Sequence, residues 1–151
     1  MAETANKLDS TNPFDLKRFT SAQESVYDRA LSELKNGSKR SHWMWYIFPQ
    51  LDRLAYSTTS KYYAIKSREE AIAYLNHSVL GARLRECAEA VFAVEGKTVS
   101  QIFGYPDDLK LKSSMTLFSE VTTDPIFIRI IDKYFKGERD EKTLQLLNKL
   151  K

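Results

Sequence analysis

Residues 41–50 read SHWMWYIFPQ, a stretch that holds both tryptophans of the chain and one of its two histidines. From Trp43 to Phe48, four of the six residues are aromatic. One face of a helix cannot bury them all, because residues one or two positions apart point in different directions. Pro49 disfavours a helix that continues past Phe48. We therefore expect a short helical piece that is enclosed on several sides and lies at the centre of the fold.

On both sides of this stretch, the sequence carries the start and stop signals of short helices. Capping boxes, in which a hydroxyl residue precedes Glu or Gln by three positions, begin at Ser21, Ser67 and Thr98. Apolar residues with helical spacing follow, and glycines at positions 37, 96, 104 and 137 end the runs. No stretch alternates clearly as a strand does, and residues 56–61 read as the longest loop. The pattern predicts an all-α fold, a single-domain irregular array of seven or eight helices.

The composition suits one folded domain. The 151 residues are 42% hydrophobic and 28% charged, which is enough apolar material for a core. Residues 1–12 are polar and are expected to form a flexible N-terminal tail, so that the domain occupies residues 13–151. No apolar run approaches the ~20 residues that span a bilayer, no secretory signal is visible, and Cys87 is the only cysteine. These features predict a cytoplasmic protein without membrane association.

The charge pattern does not favour a nucleic-acid partner. The net charge is only +3, and acidic and basic residues are interleaved along the chain. Such a partner would need five cations from three parts of the chain to converge on one face: Lys39, Arg40, Arg83, Arg85 and Lys112. Two histidines and one cysteine far apart make no metal site, and no phosphate-binding or dinucleotide fingerprint is present. We therefore predict neither a metal nor a cofactor, and the oligomeric state is left open.

A second unusual stretch, residues 107–116, reads DDLKLKSSMT. On a helix, Asp107, Lys110 and Ser114 fall on one face, with Ser113 beside it. A lysine with adjacent hydroxyls suits the binding of a phosphate or another oxyanion. The alternative is a polar face exposed to solvent, on which Asp107 and Lys110 form an ordinary ion pair that supports the helix.

Together the two stretches predict a pocket for an anionic aromatic small molecule, such as a nucleotide or an ADP-ribose derivative. Indole rings would form its wall, a carboxamide would orient a polar edge of the ligand, and the lysine and hydroxyls would hold the anion. The ligand-binding candidates are Trp43, Trp45, Gln50, Lys110, Ser113 and Ser114.

Two further residues are candidates for catalysis, although the sequence does not decide whether the chain is an enzyme. His42 is the candidate for proton transfer, because an unperturbed imidazole titrates near neutral pH. Asp108 would position Lys110 or act as a base. The alternative function is a non-enzymatic protein-interaction module, in which the tryptophan stretch is structural core and the polar stretch faces a partner.

Both stretches resemble hallmarks of a bacterial family known as domain of unknown function 1810. The first hallmark is residues 41–51, and the second is residues 107–118, which read DDLKLKSSMTLF. The resemblance extends to residues 79–84 and covers nearly the whole chain after residue 13. It implies a mainly α-helical single domain, in agreement with the capping signals, and it implies no established activity.

The chain departs from this family at one place. Members commonly carry a glycine in the loop after the first hallmark, where this chain reads Asp-Arg-Leu-Ala at residues 52–55. The departure concerns the backbone conformation of that loop and not the fold. A fainter similarity of pattern, without residue-by-residue alignment, links the chain to ADP-ribose-processing glycohydrolases. That similarity is an analogy and does not establish a function.

Overall fold

The computed structural model describes residues 13–150, and within this range it contains ten helices and one isolated β-bridge. They are α1 (Lys17–Glu24), α2 (Tyr27–Lys35), α3 (Met44–Ile47), α4 (Thr58–Tyr63), α5 (Arg68–Asn76), α6 (Leu80–Ala93), α7 (Val99–Phe103), α8 (Asp107–Ser119), α9 (Ile126–Phe135) and α10 (Glu141–Lys149). Seven have seven or more residues, so the predicted all-α fold is confirmed. The predicted tail, residues 1–12, lies outside the described residues. Between residues 13 and 150, no helix combines the length and apolar character needed to cross a bilayer.

The second hallmark forms the central helix, α8. This helix packs against α5, α7, α9 and α10. From Leu111 to Ser119, every residue except Lys112 is buried. A helix that is covered on several sides needs apolar or small residues around its whole circumference, not along one stripe. The hydroxyls of the second hallmark therefore lie mostly inside the protein.

A row of aromatic rings ties α8 to its neighbours. Phe19 of α1 meets Tyr74 of α5 with ring centroids 5.0 Å apart, and Tyr74 meets Phe118 of α8 at 5.6 Å. Phe118 meets Phe127 of α9 at 5.8 Å. All four rings are fully buried, and such aromatic pairs add to the stability that burial alone gives. This row fixes α8, and with it the second hallmark, relative to the rest of the molecule.

The first hallmark is enclosed, as its composition predicts. Helix α3 ends at Ile47, two residues before Pro49. Trp43, Met44, Ile47 and Phe48 are each at most 3% exposed. The side chain of Trp45, in contrast, is only partly buried. The hallmark therefore supplies core residues on one side and a partly open indole on the other.

Two local predictions were wrong. Ser21 is not a helix cap. It lies inside α1, which begins at Lys17 and ends at Glu24, before α2 begins at Tyr27. The predicted loop at residues 56–61 is largely α4, which starts where the Ser57 hydroxyl accepts a hydrogen bond from the backbone N–H of Ser60. The caps at Ser67 and Thr98 are present, and Thr98 forms a complete capping box.

The loop after the first hallmark, residues 52–55, contains a left-handed residue. Arg53 has φ +76°, a conformation that costs a side-chain-bearing residue about 1–2 kcal/mol. The neighbouring backbone is held in place by a parallel bridge between Leu51 and Ile65. The loop therefore keeps the conformation that suits glycine, although this chain has arginine there.

Replacing Arg53 with glycine is expected to raise the free energy of unfolding by about 0.5–1 kcal/mol. Glycine removes the left-handed strain, and only part of that gain is offset by the greater freedom of the unfolded chain. Urea denaturation followed by circular dichroism measures the change. The matched control is Arg53→Ala, which removes the guanidinium but keeps Cβ and should give no gain. An equal gain in both variants would show that the side chain, and not the backbone, causes the effect.

Candidate functional site

An open cleft of about 290 Å³ lies between the end of the first hallmark and the exposed side of α8. We call it the hallmark cleft. The cleft is lined by Trp45, Gln50, Leu54, Ala55, Pro106, Leu109, Lys110, Ser113, Asp140 and Lys142. The structure thus brings side chains from both hallmarks to one concave surface, together with the start of α10.

Trp45 and Lys110 are in direct contact in this cleft. The ammonium nitrogen of Lys110 lies 4.2 Å from the centre of the Trp45 ring. A cation at this distance from an indole face is attracted by the negative potential of the ring. The first hallmark therefore provides a flat aromatic surface, and the second provides a positive charge against it.

Asp107 connects this lysine to a second one. Its carboxylate lies 3.1 Å from the ammonium of Lys110 and 2.8 Å from that of Lys39. Partial burial would raise the pKa of Asp107, but the hydrogen bonds from Lys39 and Lys110 outweigh it and lower the pKa. One ionised carboxylate is thus shared between two ammonium groups, which leaves a net positive charge beside the cleft.

Gln50 is the most unusual residue of the cleft. It is only 8% exposed, and its backbone carbonyl accepts a hydrogen bond from the N–H of Ile65 at 2.8 Å. The residue lines the cleft, and its side-chain carboxamide makes no hydrogen bond to any residue between 13 and 150. Both polar atoms of the carboxamide reach solvent, so water or a ligand can pair with them.

The remaining polar groups divide into free and occupied ones. The Ser113 hydroxyl donates to the carbonyl of Leu109 at 3.3 Å, so its oxygen can still accept a hydrogen bond. Lys142 is exposed and has no ion pair within the described part of the chain. Asp140 is occupied, because its carboxylate caps α10 through Thr143. The cleft consequently offers two ammonium groups and a carboxamide to a ligand.

Two of the predicted ligand-binding residues lie away from the cleft lining. Trp43 is buried, packs against Phe103 with ring centroids 6.4 Å apart, and donates its indole N–H to Glu33 at 2.9 Å. Ser114 is fully buried within α8, and its hydroxyl has no hydrogen-bond partner among residues 13–150. The structure thus brings together Trp45, Gln50, Lys110 and Ser113, while Trp43 and Ser114 belong to the packing behind them.

The two candidates for catalysis also lie outside the lining. His42 is exposed just before α3. Asp108 is buried at the start of α8, where its carboxylate accepts hydrogen bonds from the Ser100 hydroxyl at 2.7 Å and from the Leu109 N–H at 2.8 Å. These hydrogen bonds explain why Asp108 is buried, and they give it a structural role. Proton transfer by His42 or Asp108 stays a prediction.

Sequence reasoning missed the residue that holds the start of the first hallmark. Glu33 of α2 accepts hydrogen bonds from the backbone N–H groups of Arg40 and Ser41, from the Ser41 hydroxyl and from the Trp43 indole, at 2.6–3.1 Å. Partial burial alone would raise its pKa, but the bonds from Ser41, Arg40 and Trp43 together lower the pKa to about 2. No local motif marks this role, because Glu33 stands in an ordinary helical sequence.

Comparisons with known proteins give a family and a close structural relative. A sequence model of the family described as "Protein of unknown function (DUF1810)" matches residues 13–147. Among solved structures, the chain is similar to the conserved hypothetical protein Rv1873 from Mycobacterium tuberculosis. The two are 50% identical, the match covers 90% of this chain and 98% of the other, and the TM-score is 0.89. A comparison with curated proteins gives no match.

Proposed function

The chain belongs to the DUF1810 family of proteins of unknown function, and because that membership carries no activity, we propose that the hallmark cleft binds an anionic small molecule with a planar aromatic ring, such as a nucleotide. The observation that carries the proposal is the meeting of the Trp45 indole, the Lys110 ammonium and the Gln50 side chain in one cleft. The carboxamide of Gln50 has no hydrogen-bond partner within residues 13–150 and its polar atoms reach solvent, so a partner must come from outside the described chain. A bound ligand would supply that partner.

The charges in the cleft favour an anion. Lys110 and Lys142 line it against a single carboxylate, Asp140, which already caps α10. Lys110 can move between Asp107 and an incoming phosphate, because Asp107 retains Lys39 as its second ion-pair partner. Ammonium groups are common phosphate ligands in proteins. Binding of an anion would therefore not leave Asp107 without a counter-ion.

The aromatic surface and the size of the cleft limit the ligand further. Trp45 presents a partly buried indole, which suits stacking against a planar ring. The volume of about 290 Å³ lies just below the range typical of small-molecule sites. Both features favour a mononucleotide over the larger ADP-ribose. We propose binding alone, since neither His42 nor Asp108 lines the cleft.

Titration of tryptophan fluorescence tests this function. The panel contains AMP, GMP, UMP and nicotinamide mononucleotide. It also contains two fragments: adenosine, which lacks the anion, and inorganic phosphate, which lacks the ring. At least one nucleotide is expected to change the emission of Trp45, and each fragment should bind roughly tenfold or more weakly, because a charge-assisted contact is worth about 1.5–3 kcal/mol.

The matched control is Trp45→Phe, in which only the buried Trp43 emits. This variant should show no change of emission with any nucleotide. Calorimetry on the unmodified protein provides a second readout that does not depend on emission. Absence of both heat and emission change with the four nucleotides would contradict the proposed function.

A protein-interaction module is the second candidate, because apolar groups stand exposed at the rim of the cleft. Tyr105 is 81% exposed, and Leu109 is 50% exposed. Exposed apolar groups beside one another are typical of interaction surfaces. Such a module accounts for the exposed rim but not for the polar groups that line the cleft, so we place it second. Substitution of Tyr105, which does not line the cleft, by serine should leave nucleotide binding in place if the cleft and the rim act separately.

A further inference from the structure

The chain contains two buried glutamines, and they differ in one respect. Gln23 is 1% exposed, and its carboxamide donates to the carbonyl of Tyr46 at 2.7 Å and to the hydroxyl of Tyr74 at 3.0 Å, while its oxygen accepts from Arg83 at 3.3 Å. Gln50 is 8% exposed, and its carboxamide has no such partner among residues 13–150. The fold thus pairs the Gln23 amide with protein groups, whereas the Gln50 amide reaches solvent and has no protein partner in the described chain.

The backbone at Gln50 is fixed in place. Its carbonyl accepts from the N–H of Ile65 at 2.8 Å, and the N–H of Asp52 donates to the carbonyl of Ile65 at 2.8 Å. Leu51, between them, is 2% exposed, and the preceding Pro49 is buried as well. These hydrogen bonds hold the Gln50 backbone, and with it the direction of the Cα–Cβ bond, in one place. The side chain is therefore positioned in advance for whatever occupies the cleft.

A carboxamide has an N–H donor and a carbonyl acceptor side by side. It makes two parallel hydrogen bonds with a planar group whose edge also has a donor beside an acceptor, as nucleobases do. A half-turn about the last side-chain bond exchanges the two positions, so Gln50 can pair with such an edge in either order. Trp45 lines the same cleft, and its indole can hold the ring of the ligand by stacking.

From this arrangement, and resting on the function proposed above, we propose that Gln50 selects the ring of the ligand by its edge. The ligand class is a nucleobase-like monophosphate whose ring edge carries an N–H donor next to an acceptor. A ring without the donor would pair only one of the two groups of the Gln50 carboxamide, and sites that pair a polar group of the ligand discriminate against analogues that lack it.

The test uses two matched pairs of nucleotides that differ only at the ring edge: AMP with N6,N6-dimethyl-AMP, and UMP with N3-methyl-UMP. The protein is expected to bind at least one parent nucleotide and to bind its methylated partner at least about tenfold more weakly in calorimetry. If the parent and its methylated partner bind equally, the inference is overturned while the proposed function stands. If neither parent binds, this inference is overturned, and the proposed function fails with it when GMP and nicotinamide mononucleotide do not bind either.

Gln50→Met separates pairing from steric exclusion, because methionine has a similar length and no hydrogen-bonding edge. In this variant the parent and methylated nucleotides should bind with equal, weakened affinity. Its melting temperature without ligand should equal or exceed that of the unmodified protein, because the fold loses no hydrogen bond. A preference for the parent that persists in Gln50→Met would overturn the inference, since the methyl groups would then be excluded by shape alone.

Gln101→Met is the control for loss of a carboxamide elsewhere. The Gln101 side chain completes the capping box of α7 by accepting from the N–H of Thr98 at 2.8 Å. This variant should have a lower melting temperature and unchanged nucleotide affinity. A lower melting temperature in Gln101→Met, without such a loss in Gln50→Met, distinguishes a residue that serves the ligand from one that serves the fold. A loss of affinity in Gln101→Met equal to that in Gln50→Met would overturn the assignment to Gln50.

Discussion

Replacing Arg18 with alanine is expected to lower the free energy of unfolding by about 3–5 kcal/mol, because it leaves a buried carboxylate without its partner. The Arg18 guanidinium lies 2.6 Å from the carboxylate of Glu70, and both side chains are at most 6% exposed. The same guanidinium also donates to the carbonyls of Tyr62 at 2.7 Å and Ala64 at 3.0 Å. Urea denaturation followed by circular dichroism measures the loss.

The double variant Arg18→Ala/Glu70→Gln provides the control for the charge. Neutralising Glu70 removes the unpaired buried carboxylate, so the double variant should be more stable than Arg18→Ala alone. It should not recover fully, because the carbonyls that Arg18 bound stay unpaired. A loss below about 1 kcal/mol in the single variant would show that the pair contributes as little as an exposed one.

Replacing Glu33 with alanine is expected to lower the free energy of unfolding by about 2–3 kcal/mol. The change removes the acceptor for four hydrogen bonds and leaves the buried indole N–H of Trp43 without a partner. Because Trp43 is one of two tryptophans, its emission should shift in the same variant. Chemical denaturation followed by tryptophan fluorescence measures both effects, and an unchanged midpoint would contradict the role assigned to Glu33.

The same carboxylate gives a pH dependence whose direction follows from its pKa. The folded pKa of about 2 lies below the ordinary value of 4.5. Glu33 therefore stabilises the fold above pH 4.5, and this contribution is lost as the pH falls toward 2. The unmodified protein should lose about 2 kcal/mol more than Glu33→Gln over that interval, a figure reduced for the partial exposure of the side chain. Equal losses in both proteins would contradict the account.

The fold could be predicted wherever one local signal was sufficient. Thr98 and Gln101 are three residues apart and complete their capping box without help from the rest of the chain. The cap at Ser57 is equally local, but it starts a mostly exposed helix that has no apolar periodicity. The prediction at Ser21 was wrong because its capping-box pattern lies inside a helix that begins four residues earlier, at Lys17.

The site was predicted only in part, because proximity in space decides which member of a motif reaches the cleft. Trp43 and Trp45 are equivalent by composition, yet only Trp45 lines the cleft. The buried Trp43 indole donates a hydrogen bond to Glu33, ten positions earlier. The pairing of Asp107 with Lys110 follows from helical spacing, whereas its contact with Lys39 joins segments that are distant in the chain. No local pattern contains that second contact.

The indole and carboxamide signals in a two-dimensional ¹H–¹⁵N spectrum provide the most direct measurement, recorded while AMP and then UMP are added to the labelled protein. The two tryptophans give two indole N–H signals. We predict that the Trp45 indole and the Gln50 carboxamide shift together with at least one nucleotide, while the Trp43 indole, bound to Glu33, stays in place. If the Trp45 and Gln50 signals do not move at saturating concentrations of either nucleotide, the result contradicts a ligand site in the hallmark cleft.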